Sequence, residues 1–205
     1  MGARTRRRAG GPVRLTAARI PRLHLVTDDG VLAEPDFVRR AREVLQVCGG
    51  DVALHLRGHA TPARRLHALS EALRGARRIV NDRIDIVLAS DAEGVQLGVR
   101  SLPIADARAL LGAERLIGYS AHDPAEARTA AHAGADFVIL GTVWPSASHP
   151  AALPSGPATL HDAVRAGDIG GRIVPVLAIG GVTPVLVAEA LAAGAHGVAV
   201  LAGVW

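Results

Sequence analysis

From residue 22 onward, short apolar runs alternate with stretches in which apolar residues recur every three or four positions. The runs at residues 23–27, 52–56, 78–81, 94–97, 116–120, 137–141, 173–179 and 197–201 predict strands. The stretch 34–47 places Phe37, Val38, Ala41, Val44 and Leu45 on one face, the spacing of a half-buried helix. Further helices are predicted over residues 62–73, 84–89, 103–111, 124–133, 159–166 and 184–193. Their punctuation agrees. Pro103 stands at a first helical position, where its missing N–H costs nothing. Asp123 and Thr183 stand as N-caps, and Gly134 ends the helix before it. Each strand but the last is thus followed by a helix, which implies parallel pairing through helical crossovers. Eight such units close into a (β/α)8 TIM barrel, here lacking an eighth helix. An open doubly wound sheet would want a glycine-rich phosphate turn after strand one. The chain has Val26-Thr27-Asp28-Asp29-Gly30 there, which does not match. With no helix after strand eight, exposed apolar surface is expected on it, covered by a second subunit if the protein is a homo-oligomer.

A chain of 205 residues suits one domain. Residues 21–205 are assigned to the barrel and residues 1–20 to a basic, solvated arm. The apolar fraction is 49% with only 2% aromatics, as strands covered on both faces by helices require. All 23 basic residues are arginine, so no lysine Schiff base can form. The net charge of +4 owes much to Arg4, Arg6, Arg7 and Arg8. No aromatic residue stands near them for base stacking, so no nucleic-acid partner is expected. Cys48 is the single cysteine, which excludes a disulfide framework and reads as a structural thiol. The basic head has no apolar stretch behind it and no run is long enough to cross a bilayer. A cytoplasmic protein without a membrane partner is expected.

In such a barrel, chemistry gathers at the C-terminal strand ends. Strand two ends His55-Leu56-Arg57-Gly58-His59, with alternation placing His55, Arg57 and His59 on one side. Arg57 is either a substrate clamp or the partner of a neighbouring acid. Strand three ends Asn81-Asp82-Arg83, strand four Gln96-Leu97-Gly98-Val99-Arg100-Ser101, and strand five Ser120-Ala121-His122. Strand six leads into Thr142, Val143, Trp144, Pro145, Ser146, Ala147, Ser148 and His149, a loop of the kind that becomes a lid. Strand seven ends Gly180-Gly181 before a helix, and strand eight ends Ala202-Gly203. These four residues are the candidate phosphate site, through backbone N–H groups. His24, His67, His132, His161 and His196 read as packed or solvent-facing.

The succession Leu25-Val26-Thr27-Asp28, His55-Leu56-Arg57, Asn81-Asp82-Arg83, Gly94-Val95-Gln96-Leu97-Gly98, Gly118-Tyr119-Ser120-Ala121-His122, Gly134-Ala135-Asp136-Phe137-Val138 and Ala178-Ile179-Gly180-Gly181 resembles the thiamine phosphate synthase/TenI family over residues 22–203. The resemblance implies a barrel enzyme of thiamine biosynthesis acting on a phosphorylated thiazole. It offers two activities. A TenI-type thiazole tautomerase moves one proton and needs no cofactor. A thiamine phosphate synthase (diphosphorylase) joins a pyrimidine methyl diphosphate to a thiazole phosphate, releasing diphosphate with Mg2+. The departures concern charge. Where synthases carry lysine after the strand-two arginine the chain has His59, and Ser101 replaces a second acid beside Asp82. Ser146-Ala147-Ser148-His149 replaces a Thr-x-Thr-Lys pattern, and Ala202 stands where serine is common. Thr142 occupies the place of a TenI general-acid/base histidine.

These departures set the expectation. The tautomerase is favoured, because one carboxylate in place of two weakens a magnesium site and histidine for lysine removes fixed charge. The catalytic group is expected to be His149, with His122 and His59 as substitutes. Arg57, Asn81, Ser120, Thr142, Ser146 and Ser148 would bind substrate, and Asp82 would hold magnesium only in a synthase. The synthase is the second expectation. A non-catalytic homologue that binds a phosphate ligand is the third.

Overall fold

The computed structural model describes residues 20–146 and 150–205. Eight parallel strands close a barrel: β1 (Leu23–Val26), β2 (Val52–Leu56), β3 (Arg78–Asn81), β4 (Gly94–Leu97), β5 (Leu116–Ala121), β6 (Phe137–Leu140), β9 (Val176–Ile179) and β10 (Gly197–Val200). β1 pairs with both β2 and β10, which completes the ring. The short strands β7 (Asp168–Ile169) and β8 (Arg172–Ile173) form an antiparallel hairpin outside it. The helices are α1 (Asp29–Ala33), α2 (Phe37–Cys48), α3 (Ala63–Ala72), α4 (Ile84–Ser90), α5 (Ile104–Leu111), α6 (Pro124–Ala133), α7 (Gly156–Ala166) and α8 (Pro184–Ala192).

Strand alternation divides the core into two layers. Leu25, Leu54, Leu56, Val80, Val95, Leu97, Ile117, Val138, Leu140, Val176, Ala178 and Val198 pack with helix residues such as Phe37, Leu66, Val87, Ala107 and Leu160. The alternate positions Val26, Ala53, Ile79, Phe137, Ile139, Leu177 and Ala199 form the separate cluster that fills the barrel. Three buried polar side chains share that inner phase, His24, His55 and Gln96. In the outer layer Arg78 is also buried, and it ties α3 and α4 to the barrel. Its guanidinium donates to the carbonyls of Ser70 (2.8 Å), Ser90 (3.3 Å) and Asp91 (2.9 Å).

Several details depart from the sequence expectation. Strand seven begins at Val176 rather than 173, because Arg172 and Ile173 pair back on Asp168 and Ile169 and Pro175 has no N–H to offer a ladder. Helix α1 was not expected; Asp28 caps it by accepting from Val31 N at 2.9 Å. The following helix starts at Phe37 rather than 34, after Pro35. The apolar surface expected on the last strand is largely covered, with Val200 and Leu201 half-buried. Val198 is buried, and the Trp205 ring lies 5.5 Å from that of Phe37 while its indole N–H donates to Val26 O at 2.7 Å. Ile20, assigned to the arm, is buried against the barrel and its carbonyl accepts from His196 at 2.8 Å. Residues 1–19 of that arm lie outside the described residues. Cys48 is half-buried at the end of α2. Among the described residues no helix is long and apolar enough to cross a membrane.

Candidate active site

The ends of β1 and β2 are stitched together by Thr27. Its hydroxyl donates toward the carbonyls of His55 (3.0 Å) and Arg57 (3.1 Å) and accepts from Arg57 N (2.9 Å). The loop beyond is clamped by Asp29, the first residue of α1. The Asp29 carboxylate accepts from His59 N (3.0 Å), Ala60 N (3.0 Å) and the Thr61 hydroxyl (2.6 Å). The Thr61 hydrogen bond, then that of Ala60, holds this carboxyl below its ordinary range. The clamped loop presents Arg57 and His59 together, Nη2 to Nε2 at 2.8 Å. A guanidinium only donates, so His59 Nε2 accepts and carries no proton in this arrangement. Of the two alternatives for Arg57, its partner here is a histidine and not an acid.

Inside the mouth the polar positions of β1 to β5 converge. His24 Nδ1 and His55 Nε2 are 2.7 Å apart, with the Phe137 ring edge-on to both. Burial pushes His55 down to about 4. Burial and then the neighbouring His55 push His24 well below the ordinary histidine value. Asn81 and Gln96 are register partners across β3 and β4. The Gln96 amide donates to the Ser120 hydroxyl at 2.9 Å. Asn81 Oδ1 and Gln96 Oε1 are buried and accept no hydrogen bond from the protein. A side chain at Gly118 would fill this space, since a Cβ there would lie 2.2 Å from Gln96 Oε1 and 2.3 Å from the Phe137 ring.

Asp82 follows at the end of β3, exposed and in the left-handed region at φ 62°. Such a backbone is uncommon for a non-glycine residue and persists where the surroundings enforce it. One of those surroundings is Ser101 of the loop after β4, which accepts from Gly98 N at 2.7 Å and donates its hydroxyl to Asp82 Oδ1. The fold thus brings Asp82 and Ser101 together. Among the described residues no three His, Cys, Asp or Glu side chains form a metal cluster. One carboxylate with a hydroxyl beside it still fits magnesium, a hard cation that commonly takes one or two carboxylates plus substrate phosphate oxygens and water.

His122 is drawn into the cap of α6. Its Nδ1 lies 3.1 Å from Glu126 Oε2, its N–H donates to the same oxygen at 2.8 Å, and Asp123 caps Glu126 N at 2.8 Å. The ring is 68% exposed, so His122 stands as a cap group rather than within the interior column. Thr142 lies against the glycine pair: a Cβ on Gly180 would come within 2.5 Å of its methyl. Gly181, at φ 67°, lets Pro145 O approach to 2.3 Å of where a Cβ would stand. Val143 N and Trp144 N complete the contact by donating to Ile179 O (2.9 Å) and Gly180 O (3.1 Å). The two glycines therefore seat the β6 loop, directly after a strand that pairs with β10. Ser146 is half-buried at the end of that loop segment. Ser148 and His149, the favoured catalytic histidine, lie outside the described residues. The sequence reading missed Asp29, Gln96 and the His24–His55 contact as site features. The available signal for the last two was a polar residue at an inward strand position, as in Leu23-His24-Leu25 and Val95-Gln96-Leu97.

Fold and site together define a closed (β/α)8 barrel with its polar groups at the C-terminal mouth. A family model described as thiamine monophosphate synthase (TMP-TENI) matches residues 23–204, and the chain belongs to that family. It is 40% identical over 189 residues to a putative thiamine-phosphate synthase of Geobacter sulfurreducens, covering 89% of this chain and 85% of that one. It is 39% identical to the thiamine-phosphate synthase of Myxococcus xanthus, with 87% and 82% covered. The solved thiamine phosphate pyrophosphorylase of Pyrococcus furiosus superposes with a TM-score of 0.72 at 31% identity, covering 88% and 85%. An N-acetylmannosamine-6-phosphate 2-epimerase of Clostridium perfringens shares the fold alone, with a TM-score of 0.63 at 16% identity. These names correct the order of the expectations: they support the synthase and give no support to the tautomerase.

Proposed function

We propose that the chain is a thiamine-phosphate synthase, a transferase that joins a pyrimidinylmethyl diphosphate to a thiazole phosphate. The observation that carries the reading is Asp82, held in a strained backbone at the mouth beside Ser101. In the reaction the thiazole ring nitrogen forms a bond to the methylene carbon, the C–O bond to diphosphate breaks, and diphosphate leaves with the electron pair. No proton is transferred. This removes the need for a titrating catalytic histidine, which the tautomerase would have required.

The chain's groups then have distinct tasks. Asp82, with Ser101, would hold Mg2+, which neutralises charge on a departing diphosphate when bound. Arg57 adds a fixed cation, and His59 adds charge only when protonated. The hydroxyls of Thr142 and Ser146, with Ser148 and His149 of the same loop, would contact the diphosphate. Backbone N–H groups of Gly180, Gly181, Ala202 and Gly203 would hold the thiazole phosphate. Asn81, Gln96 and Ser120 would orient the pyrimidine.

Magnesium titration of three proteins tests this. The wild type should require the metal, and Asp82→Asn should lose roughly 100-fold or more in kcat/KM. Ser101→Asp, which restores a second carboxylate, should lower the half-saturating magnesium several-fold. Equal activity in EDTA, or an Asp82→Asn protein as active as wild type, would overturn the assignment.

A further inference from the structure

The end of the barrel opposite the mouth carries a cavity of about 560 Å3, within the size range of small-molecule sites. It lies where α2 ends and where the chain passes from α3 to β3, at Val52, the first residue of β2. β2 is five residues long, so about 17 Å of strand separates this end from the Arg57 end. The floor is apolar, made by Leu45, Val52, Leu73 and Ala76, with Val52 and Leu73 buried. The wall is cationic. Arg42 of α2 lines it with Arg74 and Arg77 of the α3–β3 connection, and of the lining residues only Glu93 is acidic. That acid is engaged by Arg78: Glu93 Oε2 accepts from Arg78 N at 2.6 Å and lies 3.5 Å from Arg78 Nε. Arg42 Nη2 donates to Ala72 O at 2.7 Å, and Arg74 Nη2 donates to Glu71 Oε1 at 2.6 Å. A guanidinium carries five N–H donors in a planar fork, so these contacts orient the two groups and leave donors for phosphate oxygens. Glycines complete the rim. A Cβ on Gly49, Gly50 or Gly75 would meet nothing within 4 Å, so no side chain narrows the opening there.

We propose that this cavity is a second binding site, for a phosphate or diphosphate ester with an aromatic body: the ring on Leu45, Val52 and Leu73, the phosphate on Arg42, Arg74 and Arg77. The hollow and its apolar floor distinguish it from a solvated arginine face, which would offer charge alone. Inorganic phosphate or diphosphate meets only the cationic half of that recognition. The site shares no residue with the mouth, so the proposal stands whether or not the synthase reading does.

Site-resolved NMR on the full chain tests it, with ADP as the aromatic diphosphate and inorganic diphosphate beside it, both without Mg2+. ADP should move the amides of residues 49–52 and 73–77 and the Nε–H signals of Arg42 and Arg74. Its Kd from those signals should be roughly tenfold or more below that of inorganic diphosphate, because the ring covers apolar surface on the floor. Arg42→Gln/Arg74→Gln should weaken ADP at these signals roughly 30-fold or more. Shifts at the mouth, residues 57–61 and 180–181, should stay as in wild type. Both arginines are exposed, and the dispersion of the variant's spectrum reports its fold. Should the double variant not fold, Gly50→Glu decides the same question, since it adds a carboxylate to the rim where a Cβ has open space. No shift at these residues at millimolar ADP, shifts confined to the mouth, or an unchanged Kd in the arginine variant would overturn the site. Equal Kd values for ADP and inorganic diphosphate would overturn the aromatic ester as its ligand.

Discussion

At the scale of single residues, the two inner histidines make stability depend on pH. Each is neutral in the folded barrel and takes a proton when the chain unfolds, so the unfolded state binds more protons once pH falls below about 6.5. Their contribution is complete above that value and is lost as pH falls toward the folded value, about 4 for His55. The slope is about 1.4 kcal/mol per pH unit for each group. From pH 6.5 to 5, His55 alone should remove about 2 kcal/mol of unfolding free energy. Urea midpoints at the two pH values check this, and a His24→Gln/His55→Gln protein should show a flatter profile. Gly118 gives a second residue-scale outcome. Ala there sets a methyl 2.2 Å from Gln96 Oε1 and should cost about 1–3 kcal/mol by overpacking, read as a lower Tm.

At the scale of elements, the β2–α3 loop depends on Asp29 more than on its own residues. Four hydrogen bonds from residues 59–61 end on that one carboxylate. Asp29→Ala should therefore raise hydrogen exchange at residues 58–61 and raise KM for the diphosphate substrate through looser placement of Arg57, with kcat changed less. Arg78 is the other hinge of element packing. Arg78→Met leaves the Ser70, Ser90 and Asp91 carbonyls without their donor, and a loss of about 3 kcal/mol in chemical denaturation is expected. The sequence made the eight barrel strands legible because their apolar runs are short, regular and separated by capped helices. It hid α1, since Asp28-Asp29-Gly30 reads as a strand-end turn until Asp28 is seen to accept from Val31 N. It overextended strand seven because apolar content alone does not reveal that Ile173 turns back in a hairpin.

At the scale of the whole molecule, the barrel order and the C-terminal position of the site followed from the β/α alternation and needed no detail of packing. Closing the ring against solvent did need it. Trp205 covers Phe37 and reaches Val26 O, a long-range contact that no local pattern announces. Trp205→Ala should lower stability by about 2 kcal/mol and lower Tm by several degrees. The site was legible as a set of residues but not as a set of roles. The polar strand ends could be read from sequence, whereas the Asp29 clamp, the capture of His122 by Glu126 and the contact of His24 with His55 exist only once distant segments meet. The same limit explains the preference for a tautomerase, which weighed lost charges without the strained Asp82 that the fold retains. The most direct test of the synthase assignment is the yield of thiamine phosphate and diphosphate when the full chain meets the pyrimidinylmethyl diphosphate, thiazole phosphate and Mg2+. The account predicts the two products in a one-to-one ratio and none in EDTA. Absence of thiamine phosphate with the metal present, together with metal-independent aromatisation of the thiazole carboxylate phosphate, would contradict it.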